Sequence, residues 1–237
     1  MKIEVWSDYV CPFCYIGKRR MEEALNQLDF KSEITVEFKS FELDPNAPKA
    51  YDANIHELIA KKYGIPVRQA KASNEQIVAQ AKGMGLNYDF DAMKPTNTFD
   101  AHRLAHYAHA EGKQDKLSER LLSAYFTEGK DLSDHEVLAV LAKEVGLDYY
   151  KVIKVLGSDQ YKNEVRKDES DARKLNISGV PYFVINGNYA ISGAQPTDVF
   201  LQRLNKIKTD EIKSKLEETH ASSDASAGIC VDGQCKI

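Results

Sequence analysis

Apolar and polar residues alternate with a period of two in only a few short stretches of this chain, and these lie toward its two ends. Ile3-Glu4-Val5-Trp6 reads as a half-buried strand, and Ile34-Thr35-Val36-Glu37-Phe38-Lys39-Ser40-Phe41 as a second. A third apolar run closes Ile177-Ser178-Gly179-Val180-Pro181-Tyr182-Phe183-Val184-Ile185. Asn186-Gly187 then supplies a two-residue hairpin turn, with Tyr189-Ala190-Ile191-Ser192 as the partner strand. Elsewhere the spacing is helical. Ile16, Met21, Ala24, Leu25 and Leu28 mark a first helix from Pro12 to about Leu28.

Asp44-Pro45-Asn46-Ala47-Pro48 interrupts the pattern, and from about Tyr51 to Leu156 there is almost no strand signal. Amphipathic stretches near 55–63, 67–84, 98–111, 115–128, 133–146 and 148–156 predict helices, punctuated by Gly64, Gly83, Gly85, Gly129 and Gly146. Ser133 with Glu136 reads as a capping box. A long helix over 158–174 precedes the hairpin, and Pro196 opens a last helix through Leu201, Leu204, Ile207 and Ile212 to about Glu218. No internal repeat is present. A sheet assembled from two separated segments predicts one α/β unit, residues 1–50 and 157–218, interrupted by an all-helical insertion, residues 51–156. Residues 219–237 remain as a flexible tail.

The hydrophobic fraction of 43% and charged fraction of 29% are ordinary for a soluble chain. A net charge of -4 makes no electrostatic case for nucleic acid or an anionic membrane as partner. No apolar run approaches a membrane span. Met1-Lys2-Ile3-Glu4-Val5-Trp6 has no secretory signal pattern and enters a strand directly, so with Met1 as the native start the expected compartment is the cytoplasm.

The candidate chemistry is Cys11-Pro12-Phe13-Cys14, which follows the first strand and opens the first helix. Proline is tolerated at a first helical position, so Cys11 falls at the N-cap and Cys14 at the third helical residue. An N-cap thiolate accepts the orphan N–H groups of the first turn and lies at the positive end of the helix dipole. Both favour the thiolate, the nucleophile of disulfide exchange. A zinc knuckle is the competing reading, but no second ligand pair follows at zinc-ribbon or zinc-finger spacing. Cys230 and Cys235 form a second short-range pair around Asp232-Gly233, behind a Ser- and Ala-rich stretch from Thr219 to Ala227. They read as an auxiliary redox pair, with a metal-binding tail or a passive tail as the alternatives.

This arrangement resembles the thioredoxin fold with an inserted helical domain, as found in the DsbA family. Ser7 through Gly17, the Thr98-Phe99-Asp100-Ala101-His102-Arg103-Leu104 run, and Ile177 to Ile185 with Ile191-Ser192-Gly193-Ala194-Gln195-Pro196 are similar to its FrnE-like cytoplasmic branch. The match runs from residue 1 to about 218, and the Cys230/Cys235 tail resembles an extension on members with two redox pairs. The resemblance implies a cis bond before Pro181, facing the dithiol, with the Val180 backbone open to an extended substrate. It also implies that His102 lines the groove; Pro12, Phe13, Val180, Pro181 and His102 are the expected substrate contacts. Phe13 replaces the histidine of the oxidising family members, which predicts a less oxidising pair suited to reduction, isomerisation or peroxide-linked thiol chemistry. A related branch, the kappa-class glutathione transferases and 2-hydroxychromene-2-carboxylate isomerases, has Ser where this chain has Cys11. It stands as an alternative reading.

His102, His106 and His109 share one helix without a carboxylate motif and read as helix-surface or domain-interface residues. Lys18, Arg19 and Arg20 read as a solvated basic face, and Asp8 either as a helix cap or as a proton relay to Cys14. The expectation is a thiol–disulfide oxidoreductase, monomer or homodimer, without cofactor or metal. Its partners would be proteins with disulfides or small thiols; a metal-binding protein using all the cysteines is the non-enzyme alternative.

Overall fold

A computed structural model describes residues 1–224, with 215–224 as helix backbone only. Strands β1 (Lys2–Ser7), β2 (Thr35–Ser40), β3 (Tyr182–Ile185) and β4 (Tyr189–Ser192) form one sheet in the order β2-β1-β3-β4. β1 pairs with β2 in parallel, Ile3 opposite Val36 and Ser7 opposite Ser40. β3 runs antiparallel to β1, with Val5 opposite Phe183, and β4 antiparallel to β3. Successive side chains point to opposite faces of a strand. Ile3, Val5, Phe183 and Ile185 therefore pack on one face with α1 (Pro12–Leu25) and α9 (Thr197–Asp224), and Trp6 and Val184 on the other with Ala172 and Ile177. Burying each such large apolar side chain contributes about 1.5–3 kcal/mol.

Between β2 and β3 come α2 (Ile55–Tyr63), α3 (Val67–Lys82), α4 (Phe99–Ala110), α5 (Gln114–Phe126), α6 (His135–Glu144), α7 (Tyr149–Leu156) and α8 (Lys162–Lys174). Their core is built on Leu104, Leu117, Leu121, Tyr125, Phe126 and Leu138, and takes in Tyr9 from the turn before α1 and Tyr15 and Ile16 from its start. The chain is thus an α/β thioredoxin fold with a helical insertion, and α1 serves both cores.

Several boundaries differ from the sequence pattern. α1 ends at Leu25, and tighter backbone turns carry Gln27 and Leu28 onward. Asp134, not Ser133, caps α6, because the Ser133 hydroxyl is taken by Lys49 O and Asp131. α8 begins at Lys162, since the buried Arg103 guanidinium binds the last carbonyls of α7, at Val155 and Leu156, and those of Ser158 and Gln160, which holds residues 157–161 out of a helix. Asn186 and Gly187 have φ of 50° and 73°, but the β3–β4 register pairs Ile185 with Tyr189, so Asn188 joins the turn.

α9 starts beside α1, where Thr197 Oγ1 donates to Glu23, and passes the base of the sheet, where Lys208 pairs with Glu33 and Glu211 with Asn186. It continues as helix to Asp224, past the expected end at Glu218, so the stretch expected to be a linker from Thr219 begins helical. Cys230 and Cys235 lie outside the described residues.

Candidate active site

β1 ends at Ser7, and Asp8-Tyr9-Val10 turns the chain into α1. Cys11 sits at the N-cap with extended backbone, Pro12 opens the helix, and Cys11 N–H donates to Asp8 O at 3.2 Å. The Cys11 side chain makes no capping hydrogen bond; its thiol donates instead to Val180 O at 3.5 Å. The Val180–Pro181 peptide bond is cis. Cys14 lies one helical turn on, 2% exposed against 5% for Cys11, and accepts the Asp8 N–H at 3.5 Å. Burial, and contact with Cys11 next, push the Cys14 thiol well up; Ser7 and the Asp8 N–H oppose this. Both cysteines are free thiols.

Two flanking residues hold this turn. Tyr88 donates its hydroxyl to Pro12 O at 2.8 Å, and burial keeps that phenol protonated. Gly17 lies against Pro181, Ala194 and Phe183 with no room for a side chain. Phe13 is 39% exposed, an apolar ring presented beside the dithiol.

The structure brings Cys11, Cys14, Val180 and Pro181 together, with Pro12 and Phe13 on the same turn. His102 sits elsewhere. It is 2% exposed behind the dithiol, with Nε2 3.3 Å from Asp8 Oδ1 and its ring against Tyr9. Asp8 Oδ2 accepts the Leu43 N–H at 2.8 Å, so this carboxylate ties the turn to the segment after β2 and does not cap α1.

The three α4 histidines have separate surroundings. His102 is buried, whereas His106 is half-buried and meets Asp168 of α8 at 3.0 Å. His109 is exposed on the helix surface, where it meets Gln114. Among the described residues no three His, Cys, Asp or Glu side chains are arranged to hold a metal. Nor are Lys18, Arg19 and Arg20 a solvated basic face. Lys18, 3% exposed at its side chain, pairs with Glu22, Asp115 and Glu119; Arg19 pairs with Glu119 at 2.6 Å; Arg20 donates to Ala194 O. Burial alone would lower the Lys18 ammonium, but the three carboxylates outweigh it and hold it protonated. Lys18, Arg19, Glu22, Asp115 and Glu119 line a groove of about 560 Å³ between α1 and α5 that excludes both cysteines.

Sequence spacing did not reveal Tyr88, Gly17 or two buried acidic residues, Glu42 and Glu169. Glu169 lies in Lys162-Asn163-Glu164-Val165-Arg166-Lys167-Asp168-Glu169, where the high charge reads as solvated although α8 buries Val165, Asp168, Glu169 and Ala172.

The profile of the DSBA-like thioredoxin domain matches residues 2–205. The uncharacterized protein YwbO of Bacillus subtilis (strain 168) is 32% identical over 218 residues, covering 90% of this chain and 98% of that one. The crystal structure of a probable DsbA oxidoreductase from Streptomyces coelicolor superposes with a TM-score of 0.83 at 35% identity, covering 100% of this chain and 99% of that one. The cytosolic disulfide reductase DsbM from Pseudomonas aeruginosa shares the fold, with a TM-score of 0.61 at 14% identity over 88% of this chain and 100% of that one.

Proposed function

This chain belongs to the DSBA-like thioredoxin domain family, and on that premise we propose that it is a thiol–disulfide oxidoreductase working through Cys11 and Cys14. The observation that carries the reading is the line of contacts from Cys14 through Cys11 to the Val180 carbonyl. Cys11 attacks a substrate disulfide and expels one substrate thiolate, leaving a mixed disulfide. Cys14 then displaces the second substrate sulfur and closes the Cys11–Cys14 disulfide; the substrate leaves as a dithiol and the enzyme is oxidised. Only a thiolate attacks, so a buried inner thiol held protonated stays idle until the mixed disulfide forms.

Substrate lies along Phe13, Pro12, Val180 and Pro181, where an extended chain would compete with the Cys11 thiol for the Val180 carbonyl. His102 belongs behind this surface rather than on it. Phe13 brings no charge to the motif, which favours reductase or isomerase work over net oxidation. The fold shared with a cytosolic reductase is in keeping with a cytoplasmic setting. Cys230 and Cys235 remain a proposed auxiliary redox pair, removable without loss of basal exchange.

Insulin reduction and scrambled-disulfide rescue, run on wild type, Cys11→Ser and a chain ending at Asp224, test the whole reading. Activity lost only in Cys11→Ser is the expected result. Activity surviving in Cys11→Ser would refute it.

A further inference from the structure

A pair of buried acids lies beside the segment that Asp8 ties to the dithiol turn. Glu42 follows β2 and Glu169 sits on α8, with side chains 1% and 10% exposed. Both rest Oε2 on one guanidinium: Arg166 Nη1 donates to Glu169 at 2.7 Å and also to Glu42. Their Oε1 atoms are buried, and no donor among the described residues reaches either one. The two carboxyls lie within hydrogen-bond reach of each other. Two facing carboxylates in this position would repel and leave both oxygens unsatisfied. A single proton removes both penalties, because the protonated carboxyl donates to its neighbour.

The surroundings connect this pair to the thiols. Leu43, next to Glu42, donates its N–H to Asp8 Oδ2; Asp8 Oδ1 meets His102 Nε2; the Asp8 N–H reaches Cys14. The other charged groups near the pair are Asp168 and Arg166 on α8, His102 and His106 on α4, and Lys39 on β2, which lies 3.4 Å from Asp168. Burial first, and the Glu169 contact second, push Glu42 up to about 7, with His102 and Arg166 acting against them.

We propose that Glu42 and Glu169 share one proton across their contact and act as positioning residues for the dithiol, adding a negative charge on the Asp8 side of Cys14 when that proton leaves. The consequence for exchange rests on the reading of Cys11–Cys14 as the reacting pair; the shared proton does not. Loss of the proton disfavours the Cys14 thiolate and slows the resolving step. It also sets a stability trend. Glu42 ionises near 4.5 when unfolded and near 7 when folded, so across that window the unfolded chain binds fewer protons. Stability therefore falls as pH rises through the window.

Carbon-13 carboxyl NMR of glutamate-labelled, reduced, substrate-free protein tests the pair, with Glu42→Gln and Glu169→Gln for assignment. A glutamate signal titrating between about pH 6 and 8, and absent in Glu42→Gln, is expected. Complete ionisation of every glutamate below about pH 5.5 would overturn the shared proton. The wild-type titration decides this even where a variant fails to fold. In Glu42→Gln the amide donates to Glu169 and fixes the low-charge state, so Cys14, followed by its Cβ shift, should be about threefold or more acidic than in wild type. An unchanged Cys14 titration overturns the positioning role. Neither readout needs turnover, so a chain that passes both yet reduces no disulfide would refute the function proposed above and leave the pair standing.

Discussion

Gly17 and Pro181 pack so closely that a Cβ on residue 17 would stand 2.9 Å from Pro181 Cγ, and 3.4 Å from both Ala194 and Phe183. Glycine inside a helix costs about 0.5–1 kcal/mol relative to alanine. Here that cost lets α1 lie against the loop that carries the Val180 carbonyl to Cys11. Gly17→Ala should therefore lose stability despite its better helix propensity, by about 1–3 kcal/mol, and should slow disulfide exchange. Urea unfolding and insulin reduction check the two effects; a stabilised, fully active variant would contradict the contact.

The contrast in protonation between the two thiols has a chemical signature. Burial and Cys11 hold Cys14 protonated. Alkylation of the reduced protein at neutral pH should then modify Cys11 at least about tenfold faster than Cys14. Cys14→Ser should accumulate mixed disulfides through Cys11, and Cys11→Ser should accumulate none. Peptide mapping by mass spectrometry measures both.

Acid should weaken the sheet through Glu37 on β2. Burial would push its carboxyl up, but Lys2 at 2.8 Å and Lys39 at 2.5 Å outweigh that and hold it down at about 2, from 4.5. A depressed carboxylate contributes stability above its unfolded value and loses it as pH falls through the folded one. The loss therefore runs from about pH 4.5 to 2. With partial exposure discounted it amounts to about 1–2 kcal/mol. Glu37→Gln should lower stability by that amount at neutral pH and flatten the acid limb of a pH series of urea melts.

Lys18 joins α1 to α5, its ammonium closed in by Glu22, Asp115 and Glu119. Removing one member of a buried ion pair costs about 3–5 kcal/mol when the partners stay buried. Glu22, Asp115 and Glu119 keep 28%, 69% and 33% exposure and can rehydrate. Lys18→Met should accordingly cost nearer 1–2 kcal/mol. A denaturation midpoint equal to wild type at low salt would show that the cluster contributes nothing.

The elements were legible because their signals are local: Ile3 and Val5 alternate with polar neighbours, and Pro12 marks the start of α1 where the strand has just ended. What the sequence concealed depends on distant partners. Ser133 looks like a cap until Lys49 O and Asp131 claim its hydroxyl. Lys18 looks solvated until α5 brings its carboxylates across. Glu42 and Glu169 are 127 positions apart, and nothing near either one announces that they meet on Arg166. The contact of Cys11 with Val180 likewise has no signature in spacing, and only a resemblance to known proteins pointed to it.

The course of α9 has a practical consequence. The helix starts beside Glu23 in the last turn of α1, passes Glu33 and Asn186 at the end of β1 away from Ser7, and from Glu211 to Asp224 adds about 20 Å at 1.5 Å per residue. On a chain ended at Asp224, a bead, a surface or a reporter attached there is therefore held at the pole opposite Cys11. A layer of molecules immobilised that way would face its thiols outward, toward whatever flows past.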